Sequence, residues 1–74
     1  MDENYSAAVG KRIHILRRER HWTQEELASK LQILDCNLTR SAIAKIEVGQ
    51  RHIYPDELKA LQMVFQVQYE ALLP

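Results

Sequence analysis

One eleven-residue stretch limits the architecture more than any other: T-R-S-A-I-A-K-I-E-V-G, from Thr39 to Gly49. On a helical wheel Ile46 and Glu47 fall beside Ile43, whereas Ser41, Lys45 and Val48 fall opposite. Thr39 supplies an N-cap oxygen. Leu38 and Ile43 occupy the two positions of a hydrophobic staple. Gly49 is a good left-handed stop. About nine residues at about 1.5 Å each give a rod of about 13–14 Å. A rod that short does not persist alone in water. Other helices must hold it, so the chain is expected to be a helical bundle.

Seventy-four residues make one small domain with a modest core. Cys36 is the single cysteine, which rules out an internal disulfide. A lone thiol suits a reducing cytosol. There is no apolar run of membrane-spanning length. The N-terminal M-D-E-N-Y-S is acidic and polar, unlike a secretory signal. The expected location is therefore cytoplasmic. Two glycines and two prolines leave no room for a long flexible linker, and there is no internal repeat.

Ten basic and ten acidic residues cancel. A protein that coats nucleic acid by bulk charge is thereby disfavoured. The distribution is uneven: nine basic residues against five acidic ones lie between Lys11 and Arg51. Asp2, Glu3, Asp56, Glu57 and Glu70 restore the balance toward the ends.

Residues from about 4 to 20 read as a first helix, with Val9, Ile13, Leu16 and Arg17 on one stripe. Gly10 weakens it by about 1 kcal/mol against alanine. His21 stands where the chain must leave the helix, a place where glycine is easier. A second helix, 23–34, opens on a capping box of Thr23 and Glu26, with Trp22 and Leu27 as its staple. Asp35, Cys36 and Asn37 form a polar turn before the third helix, 40–48. Pro55-Asp56-Glu57 opens a fourth, 56–65, with Asp56 as its expected cap. A last short helix spans 69–73. The expected fold is all-α, a five-helix bundle filling residues 1–74.

Arg17 and Glu47 each interrupt an apolar stripe. Glu47 also sits near a helix C-terminus, where the helix dipole disfavours an anion. Two readings fit: an ion pair joining helices one and three, or two side chains that snorkel to solvent.

With T-Q-E-E-L-A at 23–28 and T-R-S-A-I-A-K-I-E-V-G at 39–49, the chain resembles the Cro/C1-type (XRE-like) helix-turn-helix family. Further matching parts are I-H-I-L-R at 13–17, P-D-E-L-K-A-L at 55–61 and F-Q-V-Q-Y-E-A-L-L at 65–73. The resemblance implies a lambda-repressor-like domain that binds double-stranded DNA. By that resemblance Arg40, Ser41 and Lys45 would meet base edges. Gln24, Thr39, Ala42 and Arg51 would meet the DNA backbone, with Gln24 also bracing the third helix. Arg17 and Glu47 would form the structural ion pair. The chain departs from the family in carrying about five extra residues between Leu31 and Thr39, which lengthens the turn between helices two and three. His21 replaces a usual glycine and Gln62 a usual small alanine.

These residue types suit the task. Arginine gives two hydrogen bonds to guanine O6 and N7, lysine reaches the same acceptors with one donor, and serine reads several bases weakly. Phosphate contacts fix register without reading sequence. A reader this small is expected to work as a homodimer on two half-sites. By the same resemblance Val67, Tyr69 and Leu73 would form the dimer patch, with core closure as the other reading. The functional expectation is a sequence-specific transcriptional regulator, a repressor by type. The alternative is a protein-interaction module on the same fold, such as an antitoxin subunit or a partner of another regulator. No nucleophile–base set, phosphate loop or metal spacing points to an enzyme, a cofactor or a metal. His14, His21 and His52 read as surface histidines.

Overall fold

The computed structural model describes residues 3–73, and among them there is no strand. Four α-helices follow in order: α1 Glu3–Glu19, α2 Gln24–Ile33, α3 Arg40–Glu47 and α4 Pro55–Phe65. The fifth expected helix is a single 3₁₀ turn, Tyr69–Leu72. Four residues close one tight turn and no more, which is the usual use of that geometry. Asp2, part of the acidic N-terminal end, lies outside the described residues.

Helix α1 forms the backing of the bundle. Val9, Ile13, Leu16 and Arg17 recur at helical spacing and are all buried. Helix α3 lies across it at Gly10. A Cβ built on Gly10 would overlap the carbonyl oxygen of Ile46, so the two backbones meet where only hydrogen fits. The sequence makes Gly10 look like a weakness of α1; it is instead the seat of α3.

Helix α2 begins with the capping box. Thr23 Oγ1 accepts from Glu26 N–H at 3.0 Å, and Glu26 Oε1 accepts from Thr23 N–H at 3.0 Å. Its inner face is Leu27 and Leu31, both fully buried. The lengthened connection to α3 is orderly. Helix α2 runs on to Ile33, Asp35 takes the left-handed conformation at φ 61°, and Leu38 returns to the core.

All four α-helices end alike. In each, a residue one or two beyond the helix end turns left-handed and two backbone N–H groups reach back into the final turn. For α1 these are His21 N–H to Arg18 O and Trp22 N–H to Arg17 O. For α3 they are Gly49 N–H to Ile46 O and Gln50 N–H to Lys45 O. Only α3 uses glycine; His21, Asp35 and Gln66 hold φ of 59°, 61° and 56°.

Helix α4 differs from expectation at its start. Tyr54, not Asp56, is the N-cap, and Pro55 is the first helical residue. Proline's fixed φ fits that position, where its missing N–H costs nothing. Glu57 Oε1 then accepts from Tyr54 N–H at 3.0 Å. At the far end Phe65 is buried and stacks on Trp22, with ring centroids 5.7 Å apart and planes 11° apart. Arg20 and Lys30 lie over this aromatic pair, Lys30 Nζ at 4.5 Å from the Trp22 ring. Gln62 is half-buried, whereas Ala60 is buried. The 3₁₀ turn closes the bundle through Leu72, which is fully buried, and through Arg12 Nε–H donating to Ala71 O at 3.0 Å.

Candidate nucleic-acid interface

Helix α3 has one buried and one open side. Ile43, Ile46 and Glu47 are buried, whereas Arg40, Ser41 and Lys45 are exposed. Val48, one turn beyond Lys45 on the same side, is 67% exposed. The start of the helix is fixed by Thr39, whose Oγ1 accepts from Ala42 N–H at 3.1 Å. Ala42 is half-buried and its N–H is occupied by that cap. Leu38 and Ile43 are buried on either side of it.

What orients α3 is a carboxylate that takes four hydrogen bonds, three on Oε1 and one on Oε2. Glu47 Oε2 accepts from Arg17 Nε–H at 2.7 Å, and Oε1 accepts from Arg17 Nη2–H at 3.0 Å. Oε1 also meets Gln24 Nε2–H at 3.1 Å and His14 Nδ1 at 2.9 Å. A carboxylate accepts and cannot donate, so His14 Nδ1 carries the hydrogen. Arg17 Nη2 lies 3.3 Å from the same nitrogen, an approach set by their shared acceptor. The remaining Arg17 nitrogen donates to Trp22 O at 2.7 Å. One group thus ties together α1, the first residue of α2, and α3. Burial pushes the Glu47 carboxyl up, but the hydrogen bonds from Arg17, His14 and Gln24 outweigh it and hold the group below the ordinary carboxylate value. This compensates for its place at the negative end of α3.

His14 is the member that sequence reasoning misses. It stands one turn before Arg17, on the flank of the stripe, and its side chain remains 46% exposed. The i, i+3 spacing to Arg17 is the only sequence signal.

Arg51 is placed differently from the other expected backbone contacts. Its Nη1 and Nη2 donate to the two oxygens of Glu57 at 2.9 and 3.0 Å, and Nη1 also donates to His52 O. The guanidinium lies 5.7 Å from the Tyr54 ring. Burial raises the Glu57 carboxyl, and Arg51 with the Tyr54 N–H more than reverses this. A phosphate would have to share Arg51 with Glu57. Arg12 and Arg20 are likewise turned inward, Arg20 Nη2–H donating to Phe65 O at 2.7 Å. Much of the positive charge in the middle of the sequence therefore braces the fold. Arg40, Lys45, Lys11 and Arg18 stay exposed.

Two open hollows flank the start of α2. One, of about 640 Å³, is lined by Arg17, Thr23, Gln24, Glu25 and Arg40. The other, of about 730 Å³, shares Arg17 and Thr23 and extends along α1 past His14, Arg18 and His21. Arg40 thus lines the first hollow, and His14 and Arg18 line the second. Cys36, in the lengthened turn, is half-buried, and burial followed by nearby Glu57 pushes its thiol up, away from the reactive thiolate.

A capped α2, a tight brace and a second helix with an open polar face are the parts of a helix-turn-helix domain. The helix-turn-helix family matches residues 13–72, and the chain belongs to it, as a member of the Cro/C1-type group. The fold is similar to the DNA-binding domain of BldD, with a TM-score of 0.84, 20% identity and all of both chains covered. It is also similar to the restriction-modification controller protein C.AhdI from Aeromonas hydrophila, with a TM-score of 0.79, 25% identity and 90% of each chain covered. No curated protein matches the chain.

Proposed function

We propose that the chain binds double-stranded DNA in a sequence-dependent manner and acts as a transcriptional regulator, a repressor by type. The observation that carries this reading is the open outer side of α3, where Arg40, Ser41 and Lys45 are all exposed while the inner side is locked by Glu47. Inserted in the major groove, these three side chains meet base edges. Gln24 keeps one amide hydrogen for a phosphate while the other holds Glu47. Thr39 and the backbone at Ala42 lie at the start of α3, where a helix end meets the sugar–phosphate chain. Arg51 contributes only by sharing its charge with Glu57. Two copies, joined through exposed Tyr69 with Val67 and Leu73 beside it, would span two half-sites.

Selection of bound sequences from random duplexes tests the reading. A recurring motif is expected, and Arg40→Ala relaxes preference at one position per half-site, where a good bidentate contact discriminates by about 1–3 kcal/mol. No binding of mixed duplexes at low salt would sink it in favour of the protein-interaction module. Uniform weakening by Arg40→Ala would move that residue to the backbone set.

A further inference from the structure

We propose a second phosphate seat, on the α1 side of the start of α2, built from Arg18 and the outer nitrogen of His14, whose occupation requires His14 to take up a proton. It builds on the duplex-binding reading and assigns residues that reading leaves out.

The hollow of about 730 Å³ offers the space, and it shares Arg17 and Thr23 with the hollow beside Gln24 and Arg40. A strand bound beside Gln24 would lie next to this hollow. Arg18 is exposed, and among the described residues its guanidinium has no ion pair or hydrogen bond. His14 is fixed by Glu47, which accepts from Nδ1 at 2.9 Å and thereby sets the ring's orientation. In the neutral ring Nδ1 carries the only hydrogen, so Nε2 presents a lone pair that repels a phosphate oxygen. In the imidazolium Nε2 becomes a donor, and the exposed part of the side chain supplies a charge-assisted hydrogen bond to the same oxygen. The charged groups around the ring are Arg17, Arg18 and Glu19 on α1, His21 in the following turn and Glu47 on α3, with neutral Gln24 on α2. A phosphate in the hollow adds negative charge, so seating it favours the protonated ring. By linkage, DNA binding draws a proton onto the protein.

The test is titration of the intact chain with a duplex from the selected pool, at constant ionic strength, between pH 8 and pH 5.5. A histidine changes charge across this interval. The expected result is an affinity that rises by about tenfold as pH falls. His14→Gln, which has no group to take up a proton in this interval, binds with an affinity that no longer rises. Arg18→Gln, at an exposed position, lowers the salt slope by about one at pH 5.5 and leaves it unchanged at pH 8. A wild-type affinity independent of pH overturns the seat and leaves the duplex-binding reading standing. So does a pH dependence that survives His14→Gln and disappears in His21→Asn. Absence of duplex binding at any pH removes both.

Discussion

Arg17 and Glu47, thirty residues apart in the chain, meet through two parallel hydrogen bonds of 2.7 and 3.0 Å inside the bundle, with both side chains more than nine-tenths buried. Their attraction offsets the cost of taking two charges out of water, so the pair matters more for geometry than for net stability. Glu47→Leu leaves Arg17 buried and unpaired and is expected to cost about 3–5 kcal/mol. In a domain of this size that lowers Tm by about 12 °C or more. Arg17→Met combined with Glu47→Leu recovers most of the loss, because no charge is then left unpaired. Urea unfolding of the two single variants and the double variant measures this; losses that simply add would show the pair to be uncoupled.

Acid destabilises the domain through hydrogen-bonded carboxylates, of which Glu47 and Glu57 are the ones withdrawn from solvent. Glu47 and Glu57 are both held below the ordinary value of 4.5. They bind protons more weakly folded than unfolded. Their contribution is therefore complete above that value and is lost as pH falls through the lower folded values. The urea midpoint is expected to change little through these groups at neutral pH and to drop below about pH 4.5. Glu57→Gln makes that drop smaller. A midpoint that rises on acidification would contradict the assignment.

Alanine at Gly10 tests the seat of α3. Propensity alone predicts a gain of about 1 kcal/mol for an alanine inside a helix. Overlap with the Ile46 carbonyl predicts a loss of about 1–3 kcal/mol as α1 and α3 separate. Net destabilisation is expected in thermal unfolding, and a stabilised Gly10→Ala protein would show that the helices cross less closely.

The left-handed helix ends offer the opposite experiment. Gln66 holds φ at 56° on an exposed corner, a conformation that costs an L-residue about 1–2 kcal/mol. Glycine removes that cost and adds about 0.5–1 kcal/mol of backbone entropy. Gln66→Gly is expected to raise stability by about 0.5–1 kcal/mol, a few degrees in Tm. No change would mean that the Gln66 side chain itself stabilises the corner.

The helices announce themselves in the sequence where their ends carry side-chain signals. Thr23 with Glu26 marks the start of α2, and Thr39 that of α3, because a hydroxyl placed there has one obvious N–H to accept from. Arg17 and Glu47 stand out because each breaks an apolar stripe. The start of α4 is misread because Pro55 fits two descriptions, the residue before a helix and its first member. Only the reach of Glu57 back to Tyr54 chooses between them. The Arg51–Glu57 pair is hidden because it crosses a loop with no fixed spacing, so Arg51 looks freer than it is. Gly10 is legible as a helix-weakening residue and not as a crossing point, since what it touches is thirty-six positions away. The place of His14 in the Glu47 brace depends on the angle between α1 and α3, which no local pattern records.

The contact at Gly10 separates the aim of the reader helix from its wording. Where α3 points is decided by main chain resting on main chain, beneath a carboxylate clamp, with no outward side chain taking part. The tips at Arg40, Ser41 and Lys45 therefore stand on a fixed mount. If α3 reads DNA as proposed, a new target preference arises by exchanging them one at a time, without rebuilding the frame that presents them.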